Sequence, residues 1–117
     1  MYNIFSHRCR HPLSYVGYAD GASRHTRRIA SAAWVLYIPE SDLPGFGGIF
    51  LGNTTNNVAE YMSVIQLLMK AASRDISNLV VRLDSQLIIM QLNNHYRVGH
   101  PMLLHYLLRV RLLERHF

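Results

Sequence analysis

Apolar side chains at Val58, Tyr61, Met62, Ile65, Leu68, Met69 and Ala72 recur at i, i+3, i+4, i+7, i+10, i+11 and i+14, the spacing of one face of a four-turn helix. This helix sits between strand-like runs, and that placement dictates the chain's path. Upstream, Leu13 to Asp20 alternates hydrophobic residues and ends at Asp20-Gly21, which predicts a strand closed by a turn. Ala30 to Ile38 predicts a second strand, apolar enough to be buried on both faces. After a turn at Pro39 to Pro44, Phe46 to Leu51 predicts a third, and the three form an antiparallel meander. Downstream of the helix, Leu79 to Asp84 is a short apolar strand that can pair in parallel through a right-handed crossover. Ser85 to Asn93 predicts a short helix, and Pro101 suits the first turn of a last one reaching about Glu114. The order βββαβαα specifies an α/β fold: a mixed sheet of three antiparallel strands plus a parallel one, with helices packed on it.

A chain of 117 residues holds one domain, and 50% hydrophobic against 16% charged residues excludes a disordered chain. No apolar run reaches the roughly 18 to 20 residues that span a bilayer, so we expect a soluble protein with no membrane partner. A single cysteine, Cys9, rules out an intramolecular disulfide and fits an intracellular compartment, cytoplasm or nucleus. Residues 1–12, MYNIFSHRCRHP, show no clear periodicity and read as a basic flexible tail, leaving 13–117 as the domain. His7, Cys9 and His11 within that tail fit no familiar four-ligand zinc spacing. The net charge is +5, and eleven of the twelve cationic residues are Arg, which suits bidentate phosphate contact. Arg8 and Arg10, then Arg24, Arg27 and Arg28, cluster as an electrostatic footprint for nucleic acid, with ordinary solubilising charge as the equal alternative reading.

Three acids stand at junctions. Asp20, in a DG pair, has an ordinary reading as a turn residue. Glu60, three residues after Asn57, reads as the third helical position of a capping box. Asp84, before Ser85, reads as an N-cap. Their combination asks for more. Asp20 and Asp84 both fall at C-terminal strand ends, where open α/β sheets build their sites, and Glu60 lies on the first turn of the crossover helix. Acids that converge in this way need a cation between them, and hard oxygen donors in an open cluster suit Mg²⁺ or Mn²⁺. That is the arrangement for metal-assisted phosphodiester hydrolysis.

The words around these acids, DGASR (Asp20 to Arg24), TTNNVAEY (Thr54 to Tyr61) and LDSQLIIMQLNNHY (Leu83 to Tyr96), occur in an order and at separations that strongly resemble type 1 ribonuclease H. The resemblance is to the reverse-transcriptase-associated branch of retroelements and plant homologues. It runs from about Tyr15 to the end, including MLLHYLLRVRLLERHF (Met102 to Phe117). It implies a ribonuclease-H-like sheet and metal-dependent endonucleolytic hydrolysis of the RNA strand of an RNA–DNA hybrid. By that resemblance Asp20 bridges two metals, and Glu60 and Asp84 hold the second. Asn56 and Asn57 approach the minor groove, while Gly21, Ala22, Ser23 and Arg24 lie along the RNA strand. Such residues suit an A-like hybrid, which displays 2′-hydroxyls in a wide, shallow minor groove. Gln91 and Tyr96 match recurrent family positions; Gln91 is carried over as a nucleic-acid contact, while Tyr96 reads equally as a core residue.

Two departures qualify the resemblance. The family's fifth strand, last helix and fourth carboxylate should follow the helix that starts near Pro101, and the only acid after Asp84 is Glu114. A Gly- and Asn-rich turn after DGASR is replaced by His25-Thr26-Arg27-Arg28. The expectation is thus a C-terminally incomplete domain, with catalytic impairment and nucleic-acid binding without turnover as the alternative function. The strand ending at Asp84 should have an open outer edge. A homodimer or domain swap through that edge and the nearly all-apolar 101–117 helix is the corresponding partner expectation.

Overall fold

The computed structural model describes residues 1–5, 15–24, 29–38 and 44–117, with the side chains of Phe5 and Arg24 outside the description. Five strands form one sheet: β1 Tyr2–Phe5, β2 Tyr15–Arg24, β3 Ile29–Tyr37, β4 Gly45–Gly52 and β5 Asn78–Arg82. Three helices complete it: α1 Asn56–Ser73, α2 Gln86–Leu92 and α3 Pro101–Glu114. The strand order is β1-β5-β2-β3-β4. β2, β3 and β4 form the expected antiparallel meander, and β5 joins β2 in parallel after the α1 crossover. No helix among the described residues is long and apolar enough to cross a membrane.

The tail reading is corrected at its start. Residues 2–5 form β1, which pairs antiparallel with β5 from Tyr2↔Val81 to Phe5↔Asn78. Tyr2 and Ile4 point into the core at 4% and 7% exposure, and Asn3 between them points out. The outer edge of β5 is therefore taken, not open, and a partner strand has no place there. Residues 6–12, with His7, Arg8, Cys9, Arg10 and His11, lie outside the described residues, as do His25 to Arg28 and residues 39–43.

Two further differences have physical causes. β2 does not end at Asp20-Gly21 but continues to Arg24, because β3 pairs with it over its whole length. β3 alternates between exposed and buried positions, since helices cover only one face of the sheet. α1 packs against β2 and β3 on one side and against α3 on the other. Squeezed from two sides, it buries Val64, Leu67 and Ala71 beyond the single predicted stripe, while Met69 is half exposed. α3 buries Leu103 and Val110 against α1 and leaves Leu104, Leu108 and Leu112 exposed.

Candidate functional site

The parallel register of β2 and β5 runs Tyr15↔Leu79 to Tyr18↔Arg82, so the next positions in phase are Asp20 and Asp84. Each stands two residues beyond the last paired residue, on the same face as Tyr18 and Arg82 by the two-residue period of a strand. Asp20 and Asp84 are both exposed. Together with Tyr18, Trp34 and Arg82 they line an open cavity of about 440 Å³. The Arg82 guanidinium lies over the Tyr18 ring, 5.9 Å from its centroid, and Tyr18 meets Tyr37 edge-on.

Glu60 occupies the opposite, helix-covered side and is only 6% exposed. Its Oε1 accepts the Gly21 N–H at 3.2 Å, which ties α1 to the strand residue next to Asp20. Only glycine fits here: a Cβ on Gly21 would come within 2.2 Å of the Ala59 carbonyl carbon. Glu60 Oε2 is buried with no hydrogen-bond partner among the described residues. Burial pushes the Glu60 carboxyl up to about 7; the Gly21 amide opposes this, and the charges of Asp20 and Asp84 add to it. The last two causes put the charges of Asp20 and Asp84 within electrostatic reach of Glu60. Among the described residues, however, no group of three His, Cys, Asp or Glu stands close enough to hold a metal ion.

The ordinary reading of each acid is displaced by its neighbours. The N-cap of α1 is Thr55, whose hydroxyl accepts the Val58 N–H at 3.2 Å. That puts Val58, not Glu60, at the third helical position. Ser85, not Asp84, caps α2 by accepting the Ile88 N–H at 3.4 Å. Asp20 is inside a strand, opposite Ala33. Turn and capping chemistry thus explain none of the three. Thr55 was missed because Asn57 made the more conspicuous capping-box spacing.

The remaining candidates divide. The Asn56 Oδ1 accepts the Ser23 N–H at 3.1 Å, joining the end of β2 to the start of α1 and leaving the Asn56 amide nitrogen as a donor. Ala22 is exposed between them. Asn57 is half buried and lines a smaller cavity of about 150 Å³ with Thr55 and His100. Arg24 contributes its backbone to β2, opposite Ile29. Gln91 is a correction: at 6% exposure it belongs to the core, where its Oε1 accepts the Tyr61 hydroxyl at 2.6 Å. Burial pushes the Tyr61 phenol up to about 12 against the opposing charge of Arg111, which keeps the hydroxyl a donor. Tyr96, by contrast, is 53% exposed. Glu114 pairs with Arg111 at 2.7 Å, and Arg111 also donates to the Leu92 carbonyl and Asn94 Oδ1, pinning α3 to the end of α2.

Residues 18–117 match the model of the family described as reverse transcriptase-like. A ribonuclease HI of Halobacterium salinarum is 37% identical over 84 residues, 72% of this chain and 42% of that relative. A bifunctional protein of Mycobacterium tuberculosis is 31% identical over 100 residues, 85% of this chain and 28% of that relative. The chain thus spans less than half the length of these relatives. Among solved structures, RNase H1 of Halobacterium salinarum superposes with a TM-score of 0.82 at 35% identity, covering 89% of this chain and 79% of that one. The LC11-RNase H1 solved with an RNA/DNA hybrid gives 0.77 at 27% identity, covering 86% and 76%. With the five-stranded mixed sheet, its helices and the ordered motifs in agreement, the chain belongs to the reverse-transcriptase-like family and shares the fold of type 1 ribonuclease H.

Proposed function

We propose that this domain binds RNA–DNA hybrids and hydrolyses the RNA strand endonucleolytically with Mg²⁺ or Mn²⁺ held by Asp20, Glu60 and Asp84. The observation that carries the reading is the parallel register that brings Asp20 and Asp84 side by side at one cavity, with Glu60 buried behind them. The donor chemistry fits a hard cation. All three donors are carboxylates, one buried oxygen lacks a partner among the described residues, and the burial and repulsion that raise Glu60 are both offset by positive charge. When bound, the metal supplies charge neutralisation at the scissile phosphate and an activated water.

The chain's own residues position and recognise. The Gly21 N–H fixes the orientation of Glu60, and the Ser23–Asn56 bond fixes the Asn56 amide at the mouth of β2 and α1. An amide donor there suits the 2′-hydroxyls and base edges of an A-like minor groove. Gly21, Ala22, Ser23 and Arg24 would follow the RNA strand from the carboxylates outward, and Asn57 would extend the amide pair. The hybrid carried by LC11-RNase H1, a relative in fold, supports this choice of substrate.

A second reading, binding without turnover, is favoured by one observation: the three acids are not drawn together tightly enough to hold a metal. One experiment separates them. A labelled hybrid is incubated with the protein and Mg²⁺, then Mn²⁺, beside Asp20→Asn, and its binding is measured in parallel. We expect metal-dependent cleavage that Asp20→Asn abolishes while binding survives. Equal cleavage by Asp20→Asn would overturn the hydrolytic reading, and binding with no cleavage by either protein would leave the second.

A further inference from the structure

β4 is one of the two sheet edges, and among the described residues no strand pairs with its outer side. Exposed edges are usually blunted by charge, proline or a bulge. The strand GFGGIFLG has no charged residue and no proline. Its one irregularity, the register shift opposite Ala30 and Ser31, falls at its far end. Phe46 is 77% and Phe50 69% exposed, which is unusual for two phenylalanines on one short strand. The pairings Val35↔Phe46, Ala33↔Gly48 and Ser31↔Phe50 set Phe46, Gly48 and Phe50 on the uncovered face, and Gly47 and Ile49 on the helix-covered face.

We propose that β4 pairs antiparallel with β4 of a second copy, about a twofold axis at Gly48, to make one continuous ten-stranded sheet. The argument is the strand's complementarity to itself. A twofold axis perpendicular to the sheet keeps each face on its own side, so the centre must fall on a residue. Centred at Gly48, Phe46 lies opposite Phe50 of the second copy, twice, and Gly47 lies opposite Ile49, twice. Cross-strand aromatic pairs of this kind are among those that stabilise sheets. Centred at Gly47 or Ile49, the same phenylalanines oppose glycine or run past the strand end. The charge pattern agrees: each copy carries +5, yet the seam itself holds no charge. This moves the expected dimer contact from the β5 edge, which β1 occupies, to the other side of the sheet, and it is independent of hydrolysis.

The test is the association state of the full chain by sedimentation equilibrium without nucleic acid. The unchanged protein should be a dimer, and Phe50→Lys alone or Phe46→Glu alone should weaken association at least tenfold. Phe46→Glu and Phe50→Lys together should restore it, because the new side chains meet across the seam with opposite charge. Both positions are exposed, and circular dichroism checks that the fold persists. Amide exchange of the unchanged protein gives a second readout: β4 should become protected as concentration rises, and β1 should not. A monomeric unchanged protein would overturn the proposal. So would a dimer indifferent to Phe50→Lys, a double variant that stays monomeric, or association that arises only with added nucleic acid.

Discussion

Glu60 holds its carboxyl in a place that works against the charged form. Its carboxyl is raised to about 7 from a usual 4.5, chiefly by burial, so the folded protein prefers it protonated. A raised carboxyl contributes its full stability below the unfolded value and loses it as pH climbs through about 4.5 to 7. At 1.36 kcal/mol per unit the loss is about 3 kcal/mol. In metal-free buffer, Glu60→Gln should therefore match the unchanged protein near pH 4.5 and exceed it in stability by pH 8, as read by urea unfolding. Adding Mg²⁺ should narrow the gap, because a bound cation favours the carboxylate. At this scale the words around Asp20, Glu60 and Asp84 single them out as candidates, while the caps were misplaced, by two residues at Asn57 and one at Asp84. Gln91 was not legible: nothing local distinguishes an amide that reads a groove from one that satisfies a buried tyrosine.

β1 shows what an element gains from a partner far away in sequence. Tyr2, Asn3 and Ile4 alternate correctly for a strand, but four residues before a cationic stretch give too short a pattern to recognise. The strand exists because β5 offers an edge and a core surface. The long elements α1 and α3 could be read from periodicity and from Pro101, since their signals are local. The double-sided burial of α1 could not, because it depends on α3 arriving from forty residues downstream. β1 also carries a cost: among the described residues the buried Tyr2 hydroxyl has no partner. Tyr2→Phe should stabilise the protein by about 1 kcal/mol, since an unsatisfied buried hydroxyl costs roughly that much or more. A denaturation midpoint that falls would reveal a partner for that hydroxyl.

For the whole molecule, the excess of twelve basic over seven acidic residues makes the proposed hybrid binding a salt-sensitive one. Association governed by Arg–phosphate contacts should weaken at least about tenfold between 50 and 200 mM salt. A salt-indifferent affinity, measured by fluorescence anisotropy, would remove charge from the account of binding. The family and its mixed sheet were legible at this scale because ordered motifs survive changes elsewhere. The occupant of the β5 edge was not, since pairing between segments more than seventy residues apart leaves no mark in either one alone.

The direction of β1 has a practical corollary. Being antiparallel to β5, it brings the first residue to the same end of the sheet as Asp84: Tyr2 faces Val81, and the Met1 carbonyl accepts from Asn93 Nδ2. A purification handle fused ahead of Met1 leaves from that end of the sheet, on the side where Asp84 stands, and would carry its histidines and bulk there. One fused after Phe117 leaves from the end of α3 instead. The proposed metal and hybrid affinities are therefore better measured with any handle placed after Phe117.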